Sequence, residues 1–247
     1  MLFNCPTFLI LNVRHKLKKP TILNNELISI PKAILATLLY LIGIELIGSW
    51  VLIAEMIGFK SYYKYYLLIQ GTLQLIGVLI FIYFIRKRNF KNLIKKTQRK
   101  WYLFALVLGI SFVFMQTPLK WIYNLLFGTE YYITYRFDGL PKFKNINMIS
   151  AILMIPIGEE FFFRDYIQNN LQKKLNKIIA ILLASLLFAS IHSPYMNLIL
   201  ESSKENWHLF YLTIFGGIIS GILYLKSKSI GPSIVFHMFW NIMVYIV

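Results

Sequence analysis

The feature that most constrains the fold of this chain is a succession of long apolar stretches. Seven of them approach or exceed the length of about 20 mostly apolar residues that a transmembrane helix requires. The chain is 57% hydrophobic and 15% charged, whereas a soluble domain is about 45–50% apolar and about 25% charged. We therefore predict an all-α, polytopic transmembrane bundle in the cell membrane. The predicted helices are residues 32–57, 65–85, 101–117, 146–168, 178–193, 207–225 and 230–247.

The net charge and the cysteine content further limit the class of protein to which this chain can belong. The chain carries 26 basic and 10 acidic residues, a formal net charge of +16. Such a charge on a soluble domain would suggest a nucleic-acid binder, but the apolar composition argues against that partner. The single cysteine, Cys5, excludes a disulfide framework and any metal site built from several cysteines.

The distribution of lysine and arginine predicts the orientation. The run Arg86 to Lys100 holds eight basic residues and no acidic one, so it is predicted to be cytoplasmic. Seven helices alternating from that loop place the N-terminus inside, with 18 basic residues on the inner side and seven on the outer side. The same run would also suit anionic lipid or nucleic acid, but its main interpretation is a solvated loop that sets the topology.

A cluster of charges interrupts the fourth apolar stretch. Glu159, Glu160 and Arg164 follow the apolar run 148–157, and each charge costs about 2.5–3.5 kcal/mol at the centre of a bilayer on insertion scales. Glu160 and Arg164 are four residues apart, share one helix face and can form an ion pair. Glu159 points about 100° away and is free to face a cavity as a general base. The alternative is that all three lie at the headgroup boundary and reach water.

Two histidines lie inside predicted helices. His192 ends the fifth stretch, and His237 lies in the seventh together with Asn241. His237 and Asn241 are four residues apart, so both project from one helix face. A lone histidine in a membrane helix more often makes an interhelical hydrogen bond than it catalyses a reaction. Combined with the carboxylates, however, two histidines and an amide suit a hydrolase that activates water and stabilises an oxyanion.

The sixth stretch is rich in small residues. Gly217 and Gly221 form a G-x-x-x-G pair, and Gly216 with Ser220 forms a second pair of small residues at the same spacing. Such pairs allow two helices to approach closely. We interpret them as packing residues that let the neighbouring helices converge on one cavity.

Three motifs in this order resemble a known family. They are E-E-x-x-x-R at 159–164, F-x-x-x-H at 188–192 and H-x-x-x-N at 237–241, each in a separate predicted helix. They resemble the CPBP family, the CAAX-protease and bacteriocin-processing intramembrane proteases. The resemblance covers about residues 100–247, and the first hundred residues show no motif of that family. Asp165 departs from the pattern, since family members often carry glycine after the arginine.

The resemblance implies a role for each motif residue. Glu159 would be the general base that activates water, assisted by His192. His237 and Asn241 would form the oxyanion hole for the tetrahedral intermediate. The glutamate–arginine pair would be structural, as the helix geometry also indicates.

The resemblance leaves metal dependence open. Similar proteins have also been described as metal-dependent, and Glu159, His192 and His237 could in principle hold zinc. We favour a reaction without a metal cofactor, because His237 paired with Asn241 suits hydrogen-bond donation better than metal ligation. The sequence also has no H-E-x-x-H ligand pair.

Three segments follow from these assignments. Residues 1–30 are predicted to form a cytoplasmic tail or an interfacial anchor. Residues 31–100 hold two transmembrane helices and the basic cytoplasmic loop. Residues 101–247 form the CPBP-like catalytic helix bundle.

The expected function is that of an intramembrane endopeptidase acting on a membrane-associated peptide or protein, with the lipid bilayer as its surroundings. A non-catalytic bacteriocin-immunity or scaffold protein of the same fold is the alternative, although the intact motifs argue against it. A transporter or proton relay would also use buried charges. Inverted repeats would place polar positions in both halves of such a transporter, whereas here they fall in the second half.

Overall fold

The computed structural model describes residues 28–58, 65–85, 94–130, 146–193 and 207–247, and within these ranges the chain is helical and has no strand. The predicted all-α bundle is therefore confirmed. Most of the predicted tail 1–30 and residues 86–93 of the basic run lie outside the described residues. The helices are α1 (Ile30–Met56), α2 (Tyr66–Ile80), α3 (Arg99–Phe127), α4 (147–171), α5 (Lys177–Ser190), α6 (Trp207–Ser227) and α7 (Gly231–Ile246).

Four of these helices are long and apolar enough to cross a membrane: α1, α2, α3 and α6. Helices α5 and α7 are apolar but shorter, with 14 and 16 residues. Seven helices in this arrangement fit a membrane bundle. The count of seven spans and the cytoplasmic N-terminus stay predictions, because they depend on where the bilayer lies.

Helix α4 is continuous but not regular. It contains two π-helical segments, Ser150–Met154 and Phe161–Gln168, separated by the α-helical turns of Ile155–Glu160. The residues that join these pieces keep right-handed helical dihedrals, so the chain does not break between them. π segments add one residue to a turn and occur often at functional sites. The sequence predicted the extent of this helix but not its wider turns.

Helix α3 is longer than the sequence predicts. The third predicted helix ends at Thr117, just before Pro118, a residue type that seldom continues a helix. In the structure Pro118 lies inside α3, which ends at Phe127. That prediction is wrong because a transmembrane helix tolerates proline when neighbouring groups satisfy the freed backbone. The true end is Gly128, which adopts φ of 61° and donates its N–H to the Asn124 carbonyl oxygen. Such a left-handed cap suits glycine.

The helices pack around α4, which contacts α2, α5, α6 and α7. Helix α7 packs most extensively on α3, and α5 on α6. Two glycines permit these close approaches. A Cβ atom at Gly109 of α3 would lie 2.6 Å from the Phe236 carbonyl oxygen, and one at Gly217 of α6 would lie 3.0 Å from Ser185 Cβ. The contacts of α4 with α6 and α7 bring the polar faces of these three helices together.

Candidate active site

The charges of α4 are buried inside the bundle. Glu159 is 4% exposed, Glu160 1% and Arg164 0%. The alternative in which these side chains reach water at the headgroup boundary is therefore wrong. Burying a charge costs several kcal/mol unless partners compensate it, so the neighbours of each group decide what it can do.

Glu160 receives three hydrogen bonds from three helices. Arg164 Nε donates to Oε2 over 3.1 Å, and Ser220 Oγ of α6 donates to the same oxygen over 2.6 Å. His237 Nδ1 of α7 lies 3.1 Å from Oε1. A carboxylate that accepts three donors is held in its ionised form, which offsets the loss of water. Glu160 is thus the group that joins α4, α6 and α7.

Arg164 has a second layer of support. Its Nη1 donates to Gln168 Oε1 over 3.4 Å, and Gln168 Nε2 donates to the Gly221 carbonyl oxygen over 2.9 Å. The guanidinium carbon also lies 5.5 Å from the centre of the Phe188 ring, a distance at which a cation is attracted to an aromatic face. These contacts hold the arginine in one position below Glu160.

His237 lies between the two glutamates. Since the ionised Glu160 accepts from Nδ1, that nitrogen carries a proton and Nε2 is the ring atom directed to Glu159. Nε2 lies 3.8 Å from Glu159 Oε2, which is too long for a direct hydrogen bond. Glu159 Oε2 has no hydrogen-bond partner among the described residues. The carboxylate oxygen Oε2 of Glu159 and Nε2 of His237 therefore face each other without a direct hydrogen bond between them.

Glu159 also has neighbours from the N-terminal helices. Gln74 of α2 interacts with the Glu159 carboxylate, and its Nε2 donates to the Tyr40 hydroxyl of α1 over 2.6 Å. The Tyr40 ring stacks on Phe162 of α4, with centroids 4.3 Å apart and an angle of 11°. The sequence interpretation, which placed every polar position in the second half of the chain, missed Tyr40 and Gln74.

Ser220 was also missed, because it was interpreted only as a small packing residue. One signal in the sequence could have found these side chains. Gln74 and Ser220 are hydrogen-bonding residues within apolar helices, and a buried polar side chain in such a helix requires a partner. That signal does not say which partner is used.

His192 and Asn241 lie at the edge of the cluster. His192 follows the end of α5, and its Nδ1 lies 3.2 Å from the Phe188 carbonyl oxygen. The Phe188 ring contacts both imidazoles, with centroids 5.0 Å from His192 and 5.7 Å from His237. Asn241 Nδ2 donates to the Ala151 carbonyl oxygen over 2.7 Å, which leaves its second amide hydrogen available. The structure thus brings Glu159, Glu160, Arg164 and His237 together in one cluster. His192 and Asn241 lie beside that cluster.

The predicted zinc ligands do not form a metal centre in this arrangement. No group of three or more His, Cys, Asp or Glu side chains in the described ranges lies close enough to hold a metal ion. Glu159 and His237 face each other across 3.8 Å, but His192 does not join them in such a group. Zinc requires at least three protein ligands converging on one point. The described side chains do not fit that requirement.

An apolar cavity of about 600 Å³ lies between α1, α2 and α4. Tyr40 and Gln74, the two neighbours of Glu159, belong to its lining, together with Phe162. Gly43 and Gly77 also line it, and a Cβ atom added at either glycine would meet nothing within 4 Å. The cavity therefore reaches from the apolar surface of the bundle to the side chains beside Glu159.

A buried cluster of two carboxylates, an arginine and a histidine, inside an apolar helix bundle, fits an intramembrane hydrolase. A family model described as type II CAAX prenyl endopeptidase Rce1-like matches residues 141–243, the stretch that contains all three motifs. Residues 141–243 are therefore similar to the CAAX-protease family that those motifs predicted. The family supports an intramembrane endopeptidase in general. The same comparisons found no match among curated proteins or among solved structures.

Proposed function

We propose that the protein is a multi-pass endopeptidase of the cell membrane in which Glu159 activates a water molecule for attack on a peptide bond. The observation that carries this proposal is the pair Glu159 Oε2 and His237 Nε2, which face each other 3.8 Å apart in a buried site. A water molecule that bridges such a pair would be both oriented and ready to lose a proton.

The proposed reaction is balanced within these residues. Glu159 takes a proton from the water, and the hydroxide oxygen attacks the carbonyl carbon of the substrate. The oxyanion accepts hydrogen bonds from His237 Nε2–H, as imidazolium, and from the second amide hydrogen of Asn241. Glu159 then returns its proton to the leaving amide nitrogen as the C–N bond breaks. His192 assists from the edge of the site.

Glu160 has a second role in this proposal besides its pair with Arg164. His237 can donate from Nε2 only when both ring nitrogens are protonated, because Nδ1 already donates to Glu160. An ionised carboxylate in contact with Nδ1 stabilises the imidazolium and sets the ring orientation. Glu160 thus supports the oxyanion hole through His237.

The apolar cavity supports a substrate with a large apolar part. The matching family is described as a prenyl endopeptidase, and about 600 Å³ is several times the volume of one side chain. We propose that a membrane-associated peptide or protein places an apolar substituent or segment in the cavity. Its cleaved bond then lies beside Glu159.

Filling the cavity is expected to weaken substrate use without unfolding the protein. Gly77→Leu projects a side chain into open space, so the melting temperature should stay close to that of the wild type. The value of kcat/KM for a substrate with a bulky apolar group should fall about tenfold to a hundredfold, since burying such a group contributes about 1.5–3 kcal/mol. Peptide cleavage by purified protein in detergent measures this effect.

Two further variants control for that result. Gly77→Ala should have an intermediate effect, because it adds a single methyl group to the same space. Ile76→Leu changes an exposed neighbour on α2 that does not line the cavity and should leave kcat/KM unchanged. Equal losses for Gly77→Leu and Ile76→Leu would show that the cavity does not receive the substrate.

Metal dependence is tested directly by chelation. Because the described ligands do not converge, peptide cleavage by the purified protein should persist when a strong chelator is present. The rate should also stay the same when zinc is added back. Complete loss of cleavage with the chelator, restored by zinc, would overturn the reaction proposed above.

A further inference from the structure

A second cavity lies where the start of α3 meets the end of α6, and its lining contains none of the residues of the candidate active site. Its volume is about 570 Å³, and its lining combines the segment before α3 and the first turn of α3 with the last turn of α6. Lys96 and Lys100 line it from around the start of α3, and Lys226 lines it from the end of α6. All three lysines are exposed. The remaining lining residues are Thr97, Gln98, Trp101 and Ser227.

Hydrogen bonds hold the two sides of this cavity together. Thr97 Oγ1 donates to the Ser227 carbonyl oxygen over 2.9 Å, and Ser229 Oγ donates to the Lys95 carbonyl oxygen over 2.7 Å. Lys228, in the turn between α6 and α7, has φ of 55°. A non-glycine residue rarely adopts this conformation. The turn is therefore held in an uncommon shape while segments about 130 residues apart meet.

The charge of this cavity is entirely positive. None of its lining residues is acidic, and the sequence from 86 to 100 contains no aspartate or glutamate. Ammonium groups gathered around one cavity repel each other, and an anion between them relieves that repulsion. A phosphate ester matches this site, since lysine binds phosphate as a compact point charge.

Trp101 indicates where such a phosphate would come from. It lies in the first turn of α3, and Lys100 Nζ is 5.9 Å from the centre of its ring. Tryptophan is enriched at the level of the lipid headgroups, where its ring is half in apolar surroundings. We propose that this cavity binds the phosphate of an anionic phospholipid headgroup, a site separate from the proposed active site.

The experiment measures lipid-dependent stabilisation of the full chain in neutral detergent. Phosphatidylglycerol is expected to raise the melting temperature, whereas phosphatidylcholine at the same concentration should not. Without lipid, the triple variant K96Q/K100Q/K226Q should melt at the wild-type temperature or slightly above it, because the three side chains are exposed and the repulsion between the ammonium groups is gone. Its apparent affinity for phosphatidylglycerol should fall by about fivefold for each lysine.

A matched control uses lysines that do not line the cavity. K174Q/K177Q removes two exposed charges near the start of α5 and should keep the wild-type response. A response lost equally in both variants would overturn the site, because general surface charge would then explain it. Inorganic phosphate should not reproduce the shift. A phosphate response equal to the lipid response and absent from the triple variant would overturn the lipid assignment. If the triple variant does not fold, K226Q alone provides the same comparison.

Discussion

Glu159→Gln is expected to abolish peptide cleavage while leaving the fold intact. The amide cannot take a proton from water, and the loss of a positioned general base lowers kcat about 10²- to 10⁴-fold. Glu159 Oε2 has no hydrogen-bond partner among the described residues, so its replacement breaks no bond at that atom. Removal of a buried charge also spares its desolvation cost. The melting temperature should therefore equal or exceed that of the wild type.

The measurement is cleavage of a labelled peptide by the purified variant, with a melting curve on the same sample. Glu130→Gln serves as the control, because Glu130 is exposed in the turn after α3, and it should retain full activity. Wild-type cleavage by Glu159→Gln would remove this residue from the mechanism. An unchanged biological phenotype in cells carrying the inactive variant would favour the non-catalytic immunity or scaffold function.

Among the variants proposed here, Glu160→Gln is expected to lower the free energy of unfolding the most. Arg164 is 0% exposed, and Glu160 is its ion-pair partner at 3.1 Å. Breaking a buried pair by removing one charge costs about 3–5 kcal/mol, because the other charge stays buried without compensation. Ser220 and His237 also lose the carboxylate that accepts from them. Both the free energy of unfolding and the cleavage rate should fall.

A double variant separates these two effects. Glu160→Gln with Arg164→Met removes both charges, and replacing a buried ion pair by apolar groups is often neutral or stabilising. The melting temperature should largely recover. Cleavage should not recover, because His237 Nδ1 still lacks an ionised carboxylate to stabilise the imidazolium. Recovery of both stability and cleavage would reduce Glu160 to the purely structural role that the family resemblance implies.

Much of the fold could be predicted because a bilayer imposes simple rules. A segment that crosses it must be long, apolar and helical. The seven predicted stretches correspond to the seven helices of the described residues, four of which are long and apolar enough to cross a membrane. The boundaries were less predictable. The third predicted helix ended at Thr117, whereas α3 continues through Pro118 to Phe127. The π segments of α4 also escaped prediction, since they follow from packing and not from a local pattern.

In the candidate site, too, contacts within one helix could be predicted from the sequence, whereas contacts between helices could not. The spacing of Glu160 and Arg164 within one helix determines that they are neighbours, and the order of the three motifs was enough to indicate the family. Contacts between helices have no such local rule. Glu160 accepts from Ser220 and His237, and Gln74 joins Tyr40 to Glu159, only because of the way in which the helices pack. The sequence by itself determined a helical membrane protein with charges inside an apolar stretch. The tertiary structure decided which partners those charges have, because side chains distant in sequence meet only when the helices pack.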